Sequence, residues 1–186
     1  MRKLIVFNNI TVDGYFTDKN NDMSWAHTSD PEWDKFTAEN AKGEAEFLFG
    51  RVTYEMMASF WPTPFAMENY PDVAKGMNDN PKTVFSRTMN KAEWKNTKII
   101  KGDLTEEVKK LKNAPGSGIV IFGSGTIISQ LTDAGLIDEY QIVVHPLVLG
   151  SGRTMFDGVK EKMKLKLNKQ RSFKNGNMLL YYEAAK

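Results

Sequence analysis

The first third of the chain alternates short apolar runs with segments in which apolar residues recur at helical spacing. Residues 4–7 and 45–49 are apolar runs that predict buried strands. Asp30-Pro31-Glu32 predicts a helix start, because Asp suits the N-cap and Pro the first helical position. A second helix is predicted from Gly50 to about Phe60, and the prolines that follow would end it.

The alternation continues to about residue 135 and then gives way to strands. Asp103 and Glu106 have the spacing of a capping box and predict a further helix start. Further apolar or alternating runs predict strands at residues 82–85, 97–100, 118–122, 140–149, 165–169 and 178–182. Strands that alternate with helices favour a parallel sheet, and the strand-rich tail favours an antiparallel edge. We therefore predict a single α/β domain over residues 1–186.

Composition narrows the functional classes. The chain has 186 residues and a formal net charge of +2, which gives little attraction for nucleic acid or an anionic membrane. It contains no cysteine and two histidines that are far apart in sequence, so thiolate chemistry is excluded and no metal site is expected. The N-terminal apolar run is too short for a signal peptide, and no run approaches a membrane span. We expect a cytoplasmic protein.

Two predicted strands end in glycine where a helix follows at once. The segments are Phe49-Gly50-Arg51-Val52-Thr53 and Phe122-Gly123-Ser124-Gly125-Thr126. A helix N-terminus offers free N–H groups and partial positive charge, and glycine lets a phosphate approach the backbone. For either junction alone, a tight turn without a ligand is the alternative. Gly-Ser-Gly is also only part of a dinucleotide-binding fingerprint.

Ser86-Arg87 follows the predicted strand at residues 82–85. A hydroxyl beside a guanidinium suits a phosphate monoester, although a solvated strand end is the simpler interpretation. His145 lies in an apolar run, where a core residue is commoner than a catalyst. The glycine-rich segment at residues 149–153 is a loop or a hairpin turn by default, and the basic residues at 160–174 indicate a solvated strand face.

Five segments occur in an order that resembles a known family. They are VDGYF, LFGRVTYEMM, VFSRT, IFGSGTIISQL and AGLIDEYQIVVHPLVLGSGRTMF. Together they resemble the dihydrofolate-reductase-like family that includes the reductase domain of bacterial riboflavin biosynthesis, over nearly the whole chain. The resemblance implies a mostly parallel central sheet with helices on both faces, NADPH bound across the strand ends, and a homodimer.

The resemblance also implies roles for individual residues. Gly50, Arg51 and Thr53 would hold cofactor phosphates, and Ser86 and Arg87 would hold the 2′-phosphate that distinguishes NADPH from NADH. Asp13 would lie beside the nicotinamide, where it is our candidate proton donor, with bound water as the alternative. The cradle for the cofactor pyrophosphate would consist of Gly123, Ser124, Gly125, Thr126 and Ile127. The loosely placed candidates for the substrate site are Asn8, Tyr15, Trp33, Phe36 and Trp61.

The chain departs from the family in two respects. Glu32 and Asp34 lie in the helix that carries the pterin-binding acid of dihydrofolate reductases, but not on its apolar face. The zinc deaminase domain of the bifunctional riboflavin enzyme, with its H-x-E and P-C-x-x-C motifs, has no counterpart here. We therefore expect a stand-alone NADPH-dependent reductase of a small pterin-like, ribitylaminopyrimidine-like or carbonyl substrate. The alternatives are a dimeric NADP(H)-binding protein without turnover and a ligand-free structural dimer.

Overall fold

The computed structural model describes residues 1–28 and 30–185, which contain ten strands and six α-helices. The elements of the first half are β1 Leu4–Thr11, β2 Tyr15–Thr17, α1 Pro31–Ala41, β3 Ala45–Gly50, α2 Arg51–Phe60, α3 Pro64–Asn69, α4 Pro71–Asp79 and β4 Lys82–Phe85. Those of the second half are β5 Thr97–Ile100, α5 Leu104–Asn113, β6 Gly118–Phe122, α6 Gly125–Asp133, β7 Glu139–His145, β8 Arg153–Thr154, β9 Leu165–Ser172 and β10 Met178–Ala184.

Strand pairing confirms the predicted sheet. Within the described residues, eight strands form one sheet in the order β5-β4-β3-β6-β1-β7-β10-β9. The strands from β5 to β7 are parallel, and β10 runs antiparallel to both β7 and β9. The carboxyl ends of β3, β4, β5 and β6 therefore lie at the same edge of the sheet. The short strands β2 and β8 pair separately.

Side chains on the two faces of the sheet pack into separate hydrophobic clusters. Leu48 of β3 packs with residues of α5 and α6 on one face. Phe47 and Phe49 of the same strand pack with Tyr54 of α2 and Met77 of α4 on the other. This follows from the two-residue period of a strand, and it places helices on both faces as predicted.

Helix starts follow the capping signals in the sequence. The Asp30 side chain accepts hydrogen bonds from the backbone N–H groups of Glu32 and Trp33, and Pro31 is the first residue of α1. Asp103 accepts from the N–H of Glu106 at the start of α5. Both predicted N-termini are confirmed, because a side-chain oxygen satisfies N–H groups that the helix leaves free.

Two features of the fold differ from the prediction. The strand predicted over residues 140–149 ends at His145, because Pro146 has no N–H to continue the ladder. The helices α3 and α4 were not predicted from the proline-rich segment. Pro64 and Pro71 stand at their first positions, where the missing N–H costs nothing and the fixed φ favours a helix.

Candidate functional site

A groove of about 560 Å³ lies across the carboxyl ends of β3, β4, β5 and β6. It is where open α/β sheets bind ligands, because the turns that follow parallel strands meet there. The structure brings all the predicted cofactor-binding residues to this groove. They are Gly50, Arg51, Thr53, Ser86, Arg87, Gly123, Ser124, Gly125, Thr126 and Ile127.

Ser124 joins the two glycine-containing turns. Its Oγ accepts a hydrogen bond from the Gly50 N–H at 2.9 Å and lies 3.1 Å from Oγ1 of Thr53. The Ser124 N–H donates to the same Thr53 oxygen at 3.1 Å. Ser124 has a left-handed conformation, with φ of +58°, which only a tightly fixed turn imposes on a residue with a side chain. The network holds the starts of α2 and α6 side by side.

Asn8 fixes the turn from the neighbouring strand. Its Oδ1 accepts from the Gly123 N–H at 2.8 Å, and its Nδ2 donates to the Gly123 carbonyl at 3.2 Å. Gly123 has φ of +56°, and a Cβ there would lie 2.9 Å from Thr53. This glycine is therefore required both by the backbone conformation and by the close approach of α2.

The helix starts in the groove differ in their capping. Neither Gly50 at α2 nor Ser124 at α6 provides a side-chain cap. By contrast, Asp30, Thr63 and Asp103 cap α1, α3 and α5 with side-chain oxygens. The first N–H groups of α2 and α6 thus lack a side-chain acceptor at the groove, and an anionic ligand suits them.

The charges lining the groove are mostly positive. Arg51 pairs with Glu55 at 3.0 Å, and Lys101 donates to the Asn90 side chain at 2.8 Å. Arg87 and Arg153 have no carboxylate within 4.0 Å among residues 1–28 and 30–185. The acid that lines the groove, Asp103, accepts a hydrogen bond at the start of α5. The donor set fits a ligand that carries several phosphate groups.

Ser86 and Arg87 directly follow β4, as predicted from the sequence. The Ser86 Oγ accepts from the Met89 N–H at 3.0 Å, which fixes the hydroxyl and leaves its proton for another acceptor. Arg87 is exposed. The pair can bind a phosphate monoester at this end of the groove.

Several groove residues were not predicted as site residues. Phe16, Thr17 and Arg153 come from the β2–β8 pair, and Lys101 and Asp103 come from the turn between β5 and α5. A local pattern marks Lys101 and Asp103, because residues 100–104 form a third junction in which a strand, a glycine and a helix follow one another. No local signal marks the β2–β8 residues, since they meet only through tertiary pairing.

The predicted substrate residues lie outside this groove. The Asn8 side chain makes two hydrogen bonds to the backbone of Gly123, and Tyr15 is half-buried on β2. The Trp33 ring packs edge-on against Phe173 in a hydrophobic cluster with Val143 and Leu179, and Phe36 packs beside it. Trp61 packs against the cluster of β3 and α2. The apolar side chains that do line the groove near α2 are Met23, Val52 and Met56.

Asp13 holds the loop after β7. Its carboxylate accepts hydrogen bonds from Thr11 Oγ1 at 2.5 Å and from the N–H groups of Leu149 and Gly150 at 3.2 and 2.7 Å. The hydroxyl of Thr11, and then these two N–H groups, lower the pKa of Asp13 below its ordinary value. The carboxyl group is ionised at neutral pH, which argues against its predicted role as a proton donor.

His145 is a core residue, the commoner of the two interpretations of its sequence context. Its side chain is 2% exposed and packs edge-on against the rings of Trp25 and Trp33. Nε2 lies 2.9 Å from Asn9 Oδ1, and burial lowers the pKa of the imidazole to about 4. The ring is therefore neutral at physiological pH.

Two structural features are absent from residues 1–28 and 30–185. No group of three or more His, Cys, Asp or Glu side chains in these residues is arranged to hold a metal ion. None of the helices described there combines the length and the apolar character needed to cross a membrane.

The sheet order and the groove at the strand ends are those of a dihydrofolate-reductase-like α/β fold. The chain matches the model of the RibD C-terminal domain family over residues 2–179 and belongs to that family. An uncharacterized protein of Bacillus subtilis, YyaP, is 30% identical over 181 residues, which cover 97% of this chain and 94% of YyaP.

Solved structures share the fold at lower identity. A putative riboflavin biosynthesis protein from Shewanella has a TM-score of 0.75 and 23% identity, with 99% of both chains covered. A deaminase/5-amino-6-(5-phosphoribosylamino)uracil reductase from Thermotoga maritima has a TM-score of 0.68 and 14% identity, with 99% of this chain and 57% of that chain covered. Both confirm the predicted fold, and the family model confirms the family resemblance.

Proposed function

We propose that the protein is an NADPH-dependent reductase that transfers hydride to a small heterocyclic or carbonyl substrate. The observation that carries this proposal is the pair of helix starts without side-chain caps, α2 and α6, which meet in one groove with unpaired cations. Family membership supports an oxidoreductase, and the groove chemistry supports a phosphate-rich nicotinamide cofactor.

In this proposal, three turns of the protein bind the phosphate groups of the cofactor. In this proposal the N–H groups at Gly125 and Thr126 bind the pyrophosphate, and the start of α2 at Arg51 supports it from the side. Ser86 and Arg87 bind the 2′-phosphate. NADPH supplies the hydride when bound, and the protein supplies orientation and charge neutralisation.

The substrate would lie against the apolar side chains of Met23, Val52 and Met56. These line the groove beside the start of α2 and are not part of the phosphate-binding turns. The Thermotoga maritima protein is named as a 5-amino-6-(5-phosphoribosylamino)uracil reductase, which supports an aminopyrimidine of this kind, with a ribityl or phosphoribosyl side chain, as the first substrate to test. Because Asp13 is ionised and holds a loop, we assign the proton to water in the groove.

A binding titration tests the cofactor assignment. We expect the protein to bind NADPH more tightly than NADH, measured by nicotinamide fluorescence. Arg87→Ala should weaken NADPH about 10- to 100-fold, because a charge-assisted hydrogen bond is worth about 1.5–3 kcal/mol. It should leave NADH unchanged. Lys166→Gln on β9 removes an exposed charge outside the groove and serves as the control. Equal NADPH binding by Arg87→Ala and the wild type would remove the 2′-phosphate assignment.

One observation favours a second candidate, an NADP(H)-binding protein without turnover. The acid lining the groove in the described residues, Asp103, is used at the start of α5 and is not a free proton donor. This candidate predicts tight NADPH binding with no oxidation by pterins, flavins or ribitylaminopyrimidines. The homodimer implied by the resemblance stays a prediction, which light scattering of the purified protein tests directly.

A further inference from the structure

The glycine-rich segment at residues 149–153 leads into β8, which forms the wall of the groove opposite the sheet. Arg153 of β8 pairs with Thr17 of β2. A Cβ on Gly152 would collide with the backbone carbonyl of Thr17, so the two strands approach as closely as a glycine permits. The close packing of β8 against β2 therefore fixes the position of the Arg153 backbone beside the groove.

Phe16 positions Arg153 relative to the start of α6. A Cβ on Gly125, the first residue of α6, would lie 3.2 Å from the Phe16 ring, so this ring covers the helix start. The guanidinium carbon of Arg153 lies 5.9 Å from the centre of the same ring, at the outer limit of a cation–π contact. Phe16 thus lies against both Arg153 and the first residue of α6.

In the part of the chain that the structure describes, the Arg153 guanidinium has no carboxylate partner and the Thr17 hydroxyl has no hydrogen-bond partner. Among residues 1–28 and 30–185, Arg153 has no carboxylate within 4.0 Å, whereas Arg51 across the groove is paired with Glu55. Thr17 lines the same groove and is 6% exposed, and its buried hydroxyl has no hydrogen-bond partner within the described residues. A buried hydroxyl and a free guanidinium together indicate a missing polar ligand.

We propose that Arg153 binds a phosphate or diphosphate group held at the start of α6, closing that site from the β2–β8 side. The proposal rests on the proposed function where the phosphate belongs to the nicotinamide cofactor. A phosphorylated substrate is the other source of the same chemistry. Arg153 is then a binding residue for the group common to NADPH and NADH, and differs in this from Arg87.

The test compares variants at two arginines, Arg153 and Arg87, with three ligands. Arg153→Gln should weaken NADPH and NADH about equally, by 10-fold or more, and should abolish the thermal stabilisation given by inorganic pyrophosphate. Arg87→Ala should change only the affinity for NADPH. Arg153→Lys should recover part of the pyrophosphate effect, because it keeps the charge but loses the two-pronged hydrogen bonding. Lys166→Gln controls for the loss of one positive charge.

The results of this test distinguish a substrate phosphate, a cofactor phosphate and the absence of an anion site at Arg153. If Arg153→Gln leaves both dinucleotides unchanged but raises KM only for a phosphorylated substrate and not for its dephosphorylated form, the anion belongs to the substrate. If the wild type binds pyrophosphate through Arg153 but neither dinucleotide, the proposed function fails and the anion site stands. Unchanged binding of pyrophosphate and of both dinucleotides by a folded Arg153→Gln variant overturns the proposal. Far-UV circular dichroism and urea unfolding establish that the variant is folded.

Discussion

The Asp13 carboxylate accepts three hydrogen bonds that tie the end of β1 to the loop after β7. A proton donor must be protonated at the working pH, and these bonds stabilise the ionised form instead. The sequence placed Asp13 near the end of the first strand correctly. Its partners Leu149 and Gly150 come from a loop more than 130 positions away, which local patterns do not reveal.

Asp13→Asn separates the two roles. If Asp13 holds the loop, we expect turnover to fall by less than 10-fold with an unchanged pH profile, and amide hydrogen exchange at Leu149 and Gly150 to become faster. Loss of a general acid would instead lower kcat by about 10²- to 10⁴-fold. A loss of that size, without faster exchange in the loop, would restore the proton-donor assignment.

The loop contact at Asp13 also has a pH dependence with a defined sign. The folded-state pKa is lowered, so the contact strengthens the fold above the ordinary pKa of an aspartate and weakens as pH falls through the lowered value. We expect the Leu149 and Gly150 amides to exchange faster in the folded protein under acid conditions, after correction for intrinsic exchange rates. Asp13→Asn should remove this additional pH dependence. An identical dependence in both proteins would contradict the contact.

At the scale of elements, the turn from β6 to α6 combines a strained backbone with close packing. Gly123 and Gly135 both have positive φ, +56° and +63°. A Cβ on Gly123 would meet Thr53 of α2, whereas nothing lies within 4 Å of a Cβ on Gly135. The two glycines therefore form a natural pair for separating backbone strain from side-chain collision.

We expect Gly123→Ala to destabilise the protein more than Gly135→Ala. Both should pay about 1–3 kcal/mol for the left-handed conformation, and Gly123→Ala should add the displacement of Thr53. Urea unfolding measures the difference. NADPH binding should be impaired only by Gly123→Ala, because α2 and α6 would separate. Equal losses of stability would mean that the Thr53 contact relaxes freely.

Sequence patterns predicted those elements whose signals are local. The capping residues Asp30 and Asp103 correctly predicted two helix starts. Pro146 marks the end of β7, because a residue without an N–H cannot continue the strand ladder even within an apolar run. The prolines after Phe60, Pro64 among them, predicted only the end of α2, although Pro64 also begins α3, just as Pro71 begins α4. These errors arose because one residue type has opposite effects at the two ends of a helix.

The candidate site was predicted where it consists of strand-to-helix turns. Glycine and the residues that follow it identified the groove at the ends of β3 and β6, and Ser86-Arg87 identified it at β4. The opposite wall was missed, because Phe16 and Arg153 meet only when β2 pairs with β8. The sequence around Trp33 does not show whether the ring lies in the core or in a binding site, since an aromatic ring is buried in either place.

At the scale of the whole molecule, His145 gives stability a pH dependence. Burial lowers its folded-state pKa to about 4, whereas the unfolded chain titrates near the ordinary value of 6.5. Between these values the unfolded state binds more protons, so the free energy of unfolding falls as pH decreases from about 6.5 to 4. The effect is at most about 3 kcal/mol, from the size of the shift.

Two variants isolate this contribution, since the chain has two histidines. We expect His145→Gln to reduce the slope of unfolding free energy against pH between about 6.5 and 4, whatever its stability at neutral pH. His27→Gln changes an exposed histidine and should keep the wild-type slope. Urea unfolding at several pH values provides the comparison, and equal slopes in all three proteins would contradict the assignment to His145.

The central position of β1 has a consequence for synthesis of the chain. β1 leaves the ribosome well before its sheet partners, because it pairs only with β6 and β7 among the described strands, and these begin at Gly118 and Glu139. Until those residues emerge, both edges of an apolar strand have no partner. The nascent protein therefore exposes an aggregation-prone segment during that interval, and folding of the sheet centre must wait for β7.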